Sequence, residues 1–162
     1  MTAPVSMSPS GLPLWLDWSL RLALATLIGA MIGWNRERTG KAAGLRTHML
    51  VSLGSALFIL MPLAVYPEHS IDALSRTIQG VATGVGFLGA GEIVHQSLPT
   101  SGKAKVKGLT SAAAIWVTAA LGTTAACGVW QLSLVGTVIT MLTLTVVRRV
   151  GQLAQSSRDD EG

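Results

Sequence analysis

The sequence predicts an all-α fold, a polytopic membrane bundle of about five transmembrane helices, and three observations support this expectation. Of the 162 residues, 49% are hydrophobic and only 12% are charged, whereas a soluble domain carries roughly 25% charged residues. The apolar residues form runs close to the roughly 20 residues that a helix needs to cross a bilayer. The basic residues lie in short clusters between these runs, as they do in the loops of membrane proteins.

The chain divides into three parts by composition. Residues 1–13 form a short polar segment without the basic n-region of a secretory signal, so we expect the first apolar run to stay in the mature protein. Residues 14–150 form the transmembrane domain, and residues 151–162 form a polar cytoplasmic tail. The apolar segments of the domain extend over residues 14–34, 47–65, 77–94, 109–126 and 129–147. Only Cys127 and Gly128 separate the last two segments, so we expect a tight antiparallel hairpin there.

The third segment is short and rich in glycine, so a re-entrant loop is the alternative to a full span. The basic residues argue against the loop. Four of them follow the first segment, three follow the third and three lie in the tail. Five spans place these ten on one side of the membrane, whereas a re-entrant third segment moves six of them to the other side. Because basic loops stay in the cytoplasm, we expect the N-terminus outside and the C-terminus in the cytoplasm.

Composition also limits the function classes. The net charge of +4 does not indicate nucleic-acid binding, because the basic residues form no continuous face with interleaved aromatic residues. The single cysteine cannot form an internal disulfide, and no cysteine and histidine cluster has the spacing of a zinc site. No catalytic set of serine, histidine and aspartate is apparent. We therefore expect a lipid bilayer as the surroundings, no nucleic-acid partner and no enzymatic activity.

Glycines spaced four residues apart predict close helix packing, because small residues let the backbones of membrane helices approach. Gly29 and Gly33 form such a pair in the first segment, and Gly80 and Gly84 form another in the third. The third segment also contains Gly86, Gly89 and Gly91. We expect the first and third segments to lie near the centre of the bundle.

Residues 84–89 also spell GxGxxG, the dinucleotide-binding fingerprint. That motif binds a cofactor only after a strand and with an acidic residue about 20 positions further on. An apolar membrane run surrounds it here, and no acidic residue lies near position 109. We therefore expect no organic cofactor, and we interpret the glycines as packing positions or as a place where backbone carbonyls face a ligand.

Ionisable residues in membrane spans are costly and mark polar sites. Asp17 and Arg21 are four residues apart in the first segment, so they share a helix face and can pair. They form either a self-neutralised interfacial pair or the rim of an outward-facing polar site.

Two carboxylates are expected at the cytoplasmic ends of spans. Glu37 follows the first segment and Glu92 ends the third. Mg²⁺ is typically held by one or two carboxylates together with retained waters, so these residues are candidates for a weak Mg²⁺ site. The alternative for Glu37 is an ion pair with Arg36, Arg38 or Arg46.

Trp116 differs from the other four tryptophans, because it lies inside an apolar segment and they lie at segment ends. Interfacial tryptophans anchor span ends, whereas a tryptophan inside a span needs a partner for its N–H. We expect Trp116 to pack within the bundle.

Four blocks of sequence carry a resemblance to a known family. They are IGWNRE at residues 32–37, AGLRTH at 43–48, GVGFLGAG at 84–91 and GLTSAAAIW at 108–116. Their order and spacing resemble the membrane domain of the MgtC/SapB family over residues 14–147. This resemblance adds the following polar candidates: Arg36, Arg46, Thr47, His48, Arg76, Thr110 and Trp116.

The resemblance implies a bacterial inner-membrane protein associated with magnesium homeostasis and adaptation to low magnesium. Some members of the family act in intracellular survival and restrain the proton-driven ATP synthase, which makes that enzyme a candidate partner. Two positions depart from the family pattern: Asn35 replaces an acidic residue, and Ala73 replaces an aspartate, with Asp72 one residue earlier. Longer relatives carry a soluble C-terminal domain that we expect to be missing here.

Two functions from different classes remain open. The first is a non-enzymatic membrane regulator that contacts another membrane protein, or a second copy of itself, through its small-residue helix faces. The alternative is a small oligomeric ion transporter or channel that uses Asp17, Arg21 and Glu92.

Overall fold

A computed structural model describes the backbone of residues 11–65, 70–97 and 106–159, and the side chains of residues 11–65, 71–95 and 106–146. Three parts of the predicted organisation lie outside these described residues: residues 1–10 of the polar N-terminal segment, the loop lysines Lys103 and Lys105, and the side chains of the tail. The described residues form five helices, which confirms the predicted all-α fold. They are α1 (Leu14–Arg38), α2 (Leu45–Val65), α3 (Ser70–Ser97), α4 (Leu109–Ala126) and α5 (Trp130–Asp159).

The helices extend past the apolar segments at several ends. α3 begins at Ser70, whereas the apolar segment was predicted to begin at residue 77. Hydropathy missed the first turns of the helix because they carry the charged residues Asp72 and Arg76. α3 is one continuous helix of 28 residues, about 42 Å long at 1.5 Å per residue, and not a helix–loop–helix re-entrant segment. It is not among the helices that qualify as spans by length and hydropathy, so its crossing of the membrane stays a prediction. α5 continues to Asp159, so most of the predicted tail has a helical backbone.

The outer surface of the described bundle is apolar. Large hydrophobic side chains are exposed on every helix, among them Leu27 at 63%, Leu50 at 67%, Phe87 at 80% and Val138 at 57%. Monomeric soluble proteins rarely expose such continuous apolar area. By length and hydropathy, α1, α2 and α4 qualify as membrane spans, and the apolar part of α5, Trp130–Val146, is slightly shorter. The chain is therefore a membrane protein, and the orientation of its ends stays a prediction.

α4 lies at the centre of the bundle, in contact with all four other helices. α3 contacts only α2 and α4 among the described residues, so the expectation that α3 lies centrally is wrong. The reason is side-chain size. The buried face of α4 carries small residues such as Ala114, Ala119, Gly122 and Ala125, which let neighbouring helices approach from several sides.

The predicted hairpin between the last two helices is confirmed. Gly128 adopts a φ of +79°, a left-handed conformation that glycine reaches without strain. Its N–H donates to the carbonyl of Ala125 at 3.1 Å, and the N–H of Val129 donates to that of Thr124 at 3.1 Å. This glycine-ended helix terminus turns the chain within three residues.

Candidate functional site

The seam between α1 and α2 is a direct backbone contact. A Cβ atom added at Gly29 would lie 2.5 Å from the carbonyl oxygen of His48 and 2.8 Å from the Cα of Met49. One added at Gly33 would lie 2.7 Å from the Cα of Leu45. Real Cβ atoms essentially never approach so closely. The packing role expected for Gly29 and Gly33 therefore agrees with the structure.

A second close contact brings α1, α2 and α4 together around Ser52. The Ser52 hydroxyl on α2 donates to the carbonyl oxygen of Ala25 on α1 at 2.6 Å. Gly122 on α4 faces the same serine, and a Cβ atom there would overlap the Ser52 carbonyl oxygen. Both side chains at this junction, Ala25 and Ser52, are fully buried. Neither Ser52 nor Gly122 was predicted from the sequence, although small residues within apolar runs are the signal that points to such a junction.

Four of the five glycines of α3 make no close contact with the described residues, contrary to expectation. A Cβ atom added at Gly80, Gly84, Gly86 or Gly91 would meet no atom within 4 Å among the described residues. Gly89 alone has a neighbour, the Cβ of Ala112 at 3.3 Å. The same four-residue spacing thus makes a helix contact in α1 and an open surface in α3, because α3 lies at the edge of the bundle.

Part of this open surface is an apolar groove between α2 and α3, which we call the glycine groove. It has a volume of about 610 Å³. Gly54 of α2 and Gly80 and Gly84 of α3 all line it. A Cβ atom added at any of the three would have no atom of the described residues within 4 Å. Its other lining residues are Leu50, Val51, Ser55, Phe58, Thr77, Val81, Val85 and Leu88.

A polar network closes one end of the bundle, where α1 begins. The Arg21 Nε atom lies 2.7 Å from an Asp17 carboxylate oxygen, as the four-residue spacing predicted. An Arg21 Nη atom also donates to the carbonyl of Ala126 at the end of α4, at 2.8 Å. The arginine thus satisfies a helix-terminal carbonyl and ties α1 to α4. This geometry agrees with the self-neutralised pair.

Cys127 lies beside this network, in the turn between α4 and α5. Burial raises the pKa of its thiol above the ordinary value, because a thiolate is poorly solvated there, although the positive charge of Arg21 acts in the opposite direction. A raised pKa keeps the thiol protonated at neutral pH. The side chain is therefore suited to packing and not to nucleophilic chemistry.

A second polar network lies at the other end, where α1 ends and where α2 and α4 begin. Arg36 is 3% exposed, and its Nη2 atom donates to the Ser111 hydroxyl oxygen at 2.8 Å. His48 is fully buried, and its Nδ1–H donates to the carbonyl of Gly44 at 2.9 Å. Its Nε2 atom has no hydrogen-bond partner within the described residues. Arg36 and Glu92 both lie within electrostatic range of the imidazole.

The two candidate carboxylates have different surroundings. Glu37 uses its Oε2 atom to accept the Leu45 N–H at 2.7 Å, which satisfies a free donor in the first turn of α2. Among the described residues it forms no ion pair with Arg36, Arg38 or Arg46. Glu92 instead lines a pocket of about 340 Å³ together with Thr47 and His95. Within the described part of the chain, no three histidine, cysteine or acidic residues group as metal ligands. The Mg²⁺ site thus stays a prediction.

The remaining polar candidates spread over the surface. Arg46, Thr47, Arg76 and Thr110 are all exposed. Trp116 is 52% exposed, so the expectation that it packs inside the bundle is wrong. The buried face of α4 carries mostly small residues, and the large indole ring lies on its outer side.

Comparisons with known proteins give sequence matches over most of the chain. The model of the MgtC family matches residues 22–153. Protein SrpB of Synechococcus elongatus is 54% identical over 145 residues, which cover 86% of this chain and 80% of SrpB. The putative magnesium transporter YhiD of Escherichia coli K12 is 40% identical over 139 residues, 83% of this chain and 62% of YhiD.

Protein MgtC of Salmonella typhimurium LT2 is 34% identical over 139 residues, which cover 86% of this chain and 56% of that protein. The chain therefore spans somewhat more than half of YhiD and MgtC, and most of SrpB. No solved structure matches it.

Proposed function

The chain belongs to the MgtC family, and from this premise we propose that it is a non-enzymatic regulator that binds a transmembrane helix of another protein in the glycine groove. Its membrane is the bacterial inner membrane, and its role lies in magnesium homeostasis and adaptation to low magnesium. A relative named as a putative magnesium transporter supports the link to this ion. The membrane part of the proton-driven ATP synthase is the first partner to test, by family resemblance.

The open glycine groove carries this proposal. Membrane helices gain little by burying apolar side chains against one another, because lipid is equally apolar, so small residues at the contact drive their association. Inside the chain, Gly29 and Gly33 already form such a contact. Gly54, Gly80 and Gly84 provide the same feature with none of the described residues packed against them. A helix from another protein can therefore approach α2 and α3 closely.

The rim of the groove favours an apolar helix as the occupant. Leu50, Phe58 and Leu88 line the groove and are 67%, 57% and 52% exposed. Among the described residues, no charged side chain lines it. The groove therefore provides apolar contact at its edges and close backbone approach along its glycines.

The Gly84→Leu variant tests the proposal. A leucine there projects into the groove, and its Cβ has room because no atom of the described residues lies within 4 Å of that position. Gly91→Leu is the matched control, since Gly91 is also open on α3 but does not line the groove. We expect a partner to co-purify in mild detergent with the wild type and with Gly91→Leu, and to be lost with Gly84→Leu. Recovery of the same partner with Gly84→Leu contradicts the proposal.

A small oligomeric ion transporter is the second candidate, and the buried polar residues favour it. His48, fully buried in electrostatic range of Arg36 and Glu92, is the kind of intramembrane ionisable residue that marks ion pathways. Flux of Mg²⁺, protons and K⁺ into proteoliposomes decides between the candidates. If the protein is a regulator, the ion flux should equal that of empty vesicles. Ion flux above that level, abolished by Asp17→Asn or Glu92→Gln, supports the transporter.

A further inference from the structure

We propose that a basic pocket between the end of α1 and the start of α4 binds a phosphate group. The pocket has a volume of about 260 Å³. Three cations from three parts of the chain line it: Arg36 from α1, Lys41 from the loop after it, and Lys107 from the segment before α4. The remaining lining residues are Val106, Gly108, Leu109, Thr110 and Ser111. No acidic side chain lines it within the described residues.

The cations differ in how they are held. Arg36 is 97% buried in the bundle, since only 3% of its surface is exposed, and its guanidinium is fixed by the hydrogen bond to Ser111. Lys41 and Lys107 are exposed, so a ligand can reach them from the aqueous side. A buried, fixed guanidinium beside two exposed ammonium groups suits an oxyanion with several acceptor oxygens.

Ser111 provides a buried donor that points to a ligand. It is 1% exposed and lines the pocket. Its oxygen accepts the hydrogen bond from Arg36, and its own hydroxyl hydrogen has no acceptor among the described residues. A buried hydroxyl normally uses its proton in a hydrogen bond. An oxyanion in the pocket supplies the acceptor.

The start of α4 adds backbone donors to the same pocket. Gly108 precedes the helix at a φ of +88°, and no side chain caps the first turn. The first N–H groups of an 18-residue helix therefore face the pocket without a side-chain acceptor. The helix dipole places partial positive charge at this terminus. Backbone and side chains thus favour an anion at the same place.

The phosphate group can come from two sources, and both can reach the position of the basic pocket. Trp34, 53% exposed on the last turns of α1, stacks with Arg38 at 5.1 Å and marks the level of an interface. A phosphodiester of an anionic lipid headgroup reaches this level, and so does free phosphate from the aqueous side. This inference is independent of the glycine groove.

Binding to the purified protein in neutral detergent tests the inference and separates the sources. The probes are short-chain phosphatidylglycerol and inorganic phosphate, titrated calorimetrically at constant ionic strength. The test variant is Lys41→Gln with Lys107→Gln. The control is Arg38→Gln with Arg46→Gln, which removes the same charge from exposed residues at the same end that do not line the pocket.

We expect saturable binding that the test variant weakens about thirtyfold, because each basic residue near a phosphate contributes roughly fivefold. The control variant should weaken binding no more than about threefold. If binding saturates with phosphatidylglycerol alone, the ligand is a lipid headgroup. If binding saturates with inorganic phosphate, the ligand is free phosphate. The inference is overturned if neither probe saturates, or if test and control variants weaken binding equally, since a diffuse charge effect then explains it. Both test lysines are exposed, so unchanged melting without ligand confirms that the fold is intact.

Discussion

Replacing Gly29 with alanine tests whether α1 and α2 are held in direct backbone contact. The matched perturbation is Gly84→Ala on α3. Both substitutions add one methyl group to a glycine of a GxxxG pair, and both lie in the interior of a helix. They differ only in what the new methyl group meets.

The magnitudes follow from the surrounding atoms. A Cβ atom at Gly29 would lie 2.5 Å from the His48 carbonyl oxygen, whereas ordinary contact begins at 3.4 Å. The helices must therefore separate by about 0.9 Å (3.4 − 2.5), and no side chain can rotate away, because the opposing atoms belong to the backbone. Overpacking of this kind costs about 3 kcal/mol at the upper end of its usual range.

Helix propensity acts in the opposite direction. Alanine is about 1 kcal/mol more favourable than glycine inside a helix. Gly29→Ala should therefore reduce the free energy of unfolding by about 2 kcal/mol. At Gly84 no atom lies within 4 Å of the added Cβ, so only propensity applies, and the free energy of unfolding should rise by up to about 1 kcal/mol.

Titration with SDS in mixed micelles, followed by tryptophan fluorescence, measures both changes. The expected difference between the two variants is about 3 kcal/mol, roughly a hundredfold in the unfolding equilibrium constant. Equal midpoints for Gly29→Ala and Gly84→Ala would refute the distinction between a packed and an open glycine pair, and with it the assignment of the α1–α2 seam.

Two further predictions concern the ends of the bundle. Glu37→Ala removes the acceptor of the Leu45 N–H, so the free energy of unfolding in the same titration should fall by about 1 kcal/mol; no change would show that the carboxylate does not stabilise α2. Because burial raises the pKa of the single cysteine, Cys127, a water-soluble maleimide should alkylate it at pH 7 more slowly than a free cysteine peptide, with a rate that rises as pH increases. Arg21→Gln should slow alkylation further, because it removes the charge that favours the thiolate; a faster reaction would contradict this origin.

Features that depend on local sequence were predictable. The five helices, the Asp17–Arg21 ion pair and the hairpin at Gly128 each follow from residues within a few positions of one another. Helix ends were less predictable, because hydropathy locates apolar residues, and a helix such as α3 continues through polar ones.

Features that depend on neighbouring helices were not predictable. The two GxxxG pairs have the same spacing, yet Gly29 and Gly33 face backbone while Gly80 and Gly84 face open space. The exposure of Trp116 likewise depends on which face of α4 its neighbours cover. Only the arrangement of the helices decides these outcomes.

The residues missed by the sequence analysis share one property. Ser52, Gly122 and Ser111 are small, and each acts through a contact with a distant segment. Lys41 and Lys107 read as loop charges that set topology, and the structure brings them to one pocket with Arg36. Small and loop residues carry little pattern in the sequence, so their roles emerge only from tertiary contacts.

Photo-crosslinking in intact bacterial membranes tests the central claim most directly. p-Benzoylphenylalanine replaces Phe58 on the rim of the glycine groove or, as a control, Val138 on α5; both residues are 57% exposed. The proposed function predicts a discrete crosslinked protein from position 58 that disappears with Gly84→Leu, and none from position 138. Crosslinking to lipid alone from both positions, or the same protein from both, would contradict it.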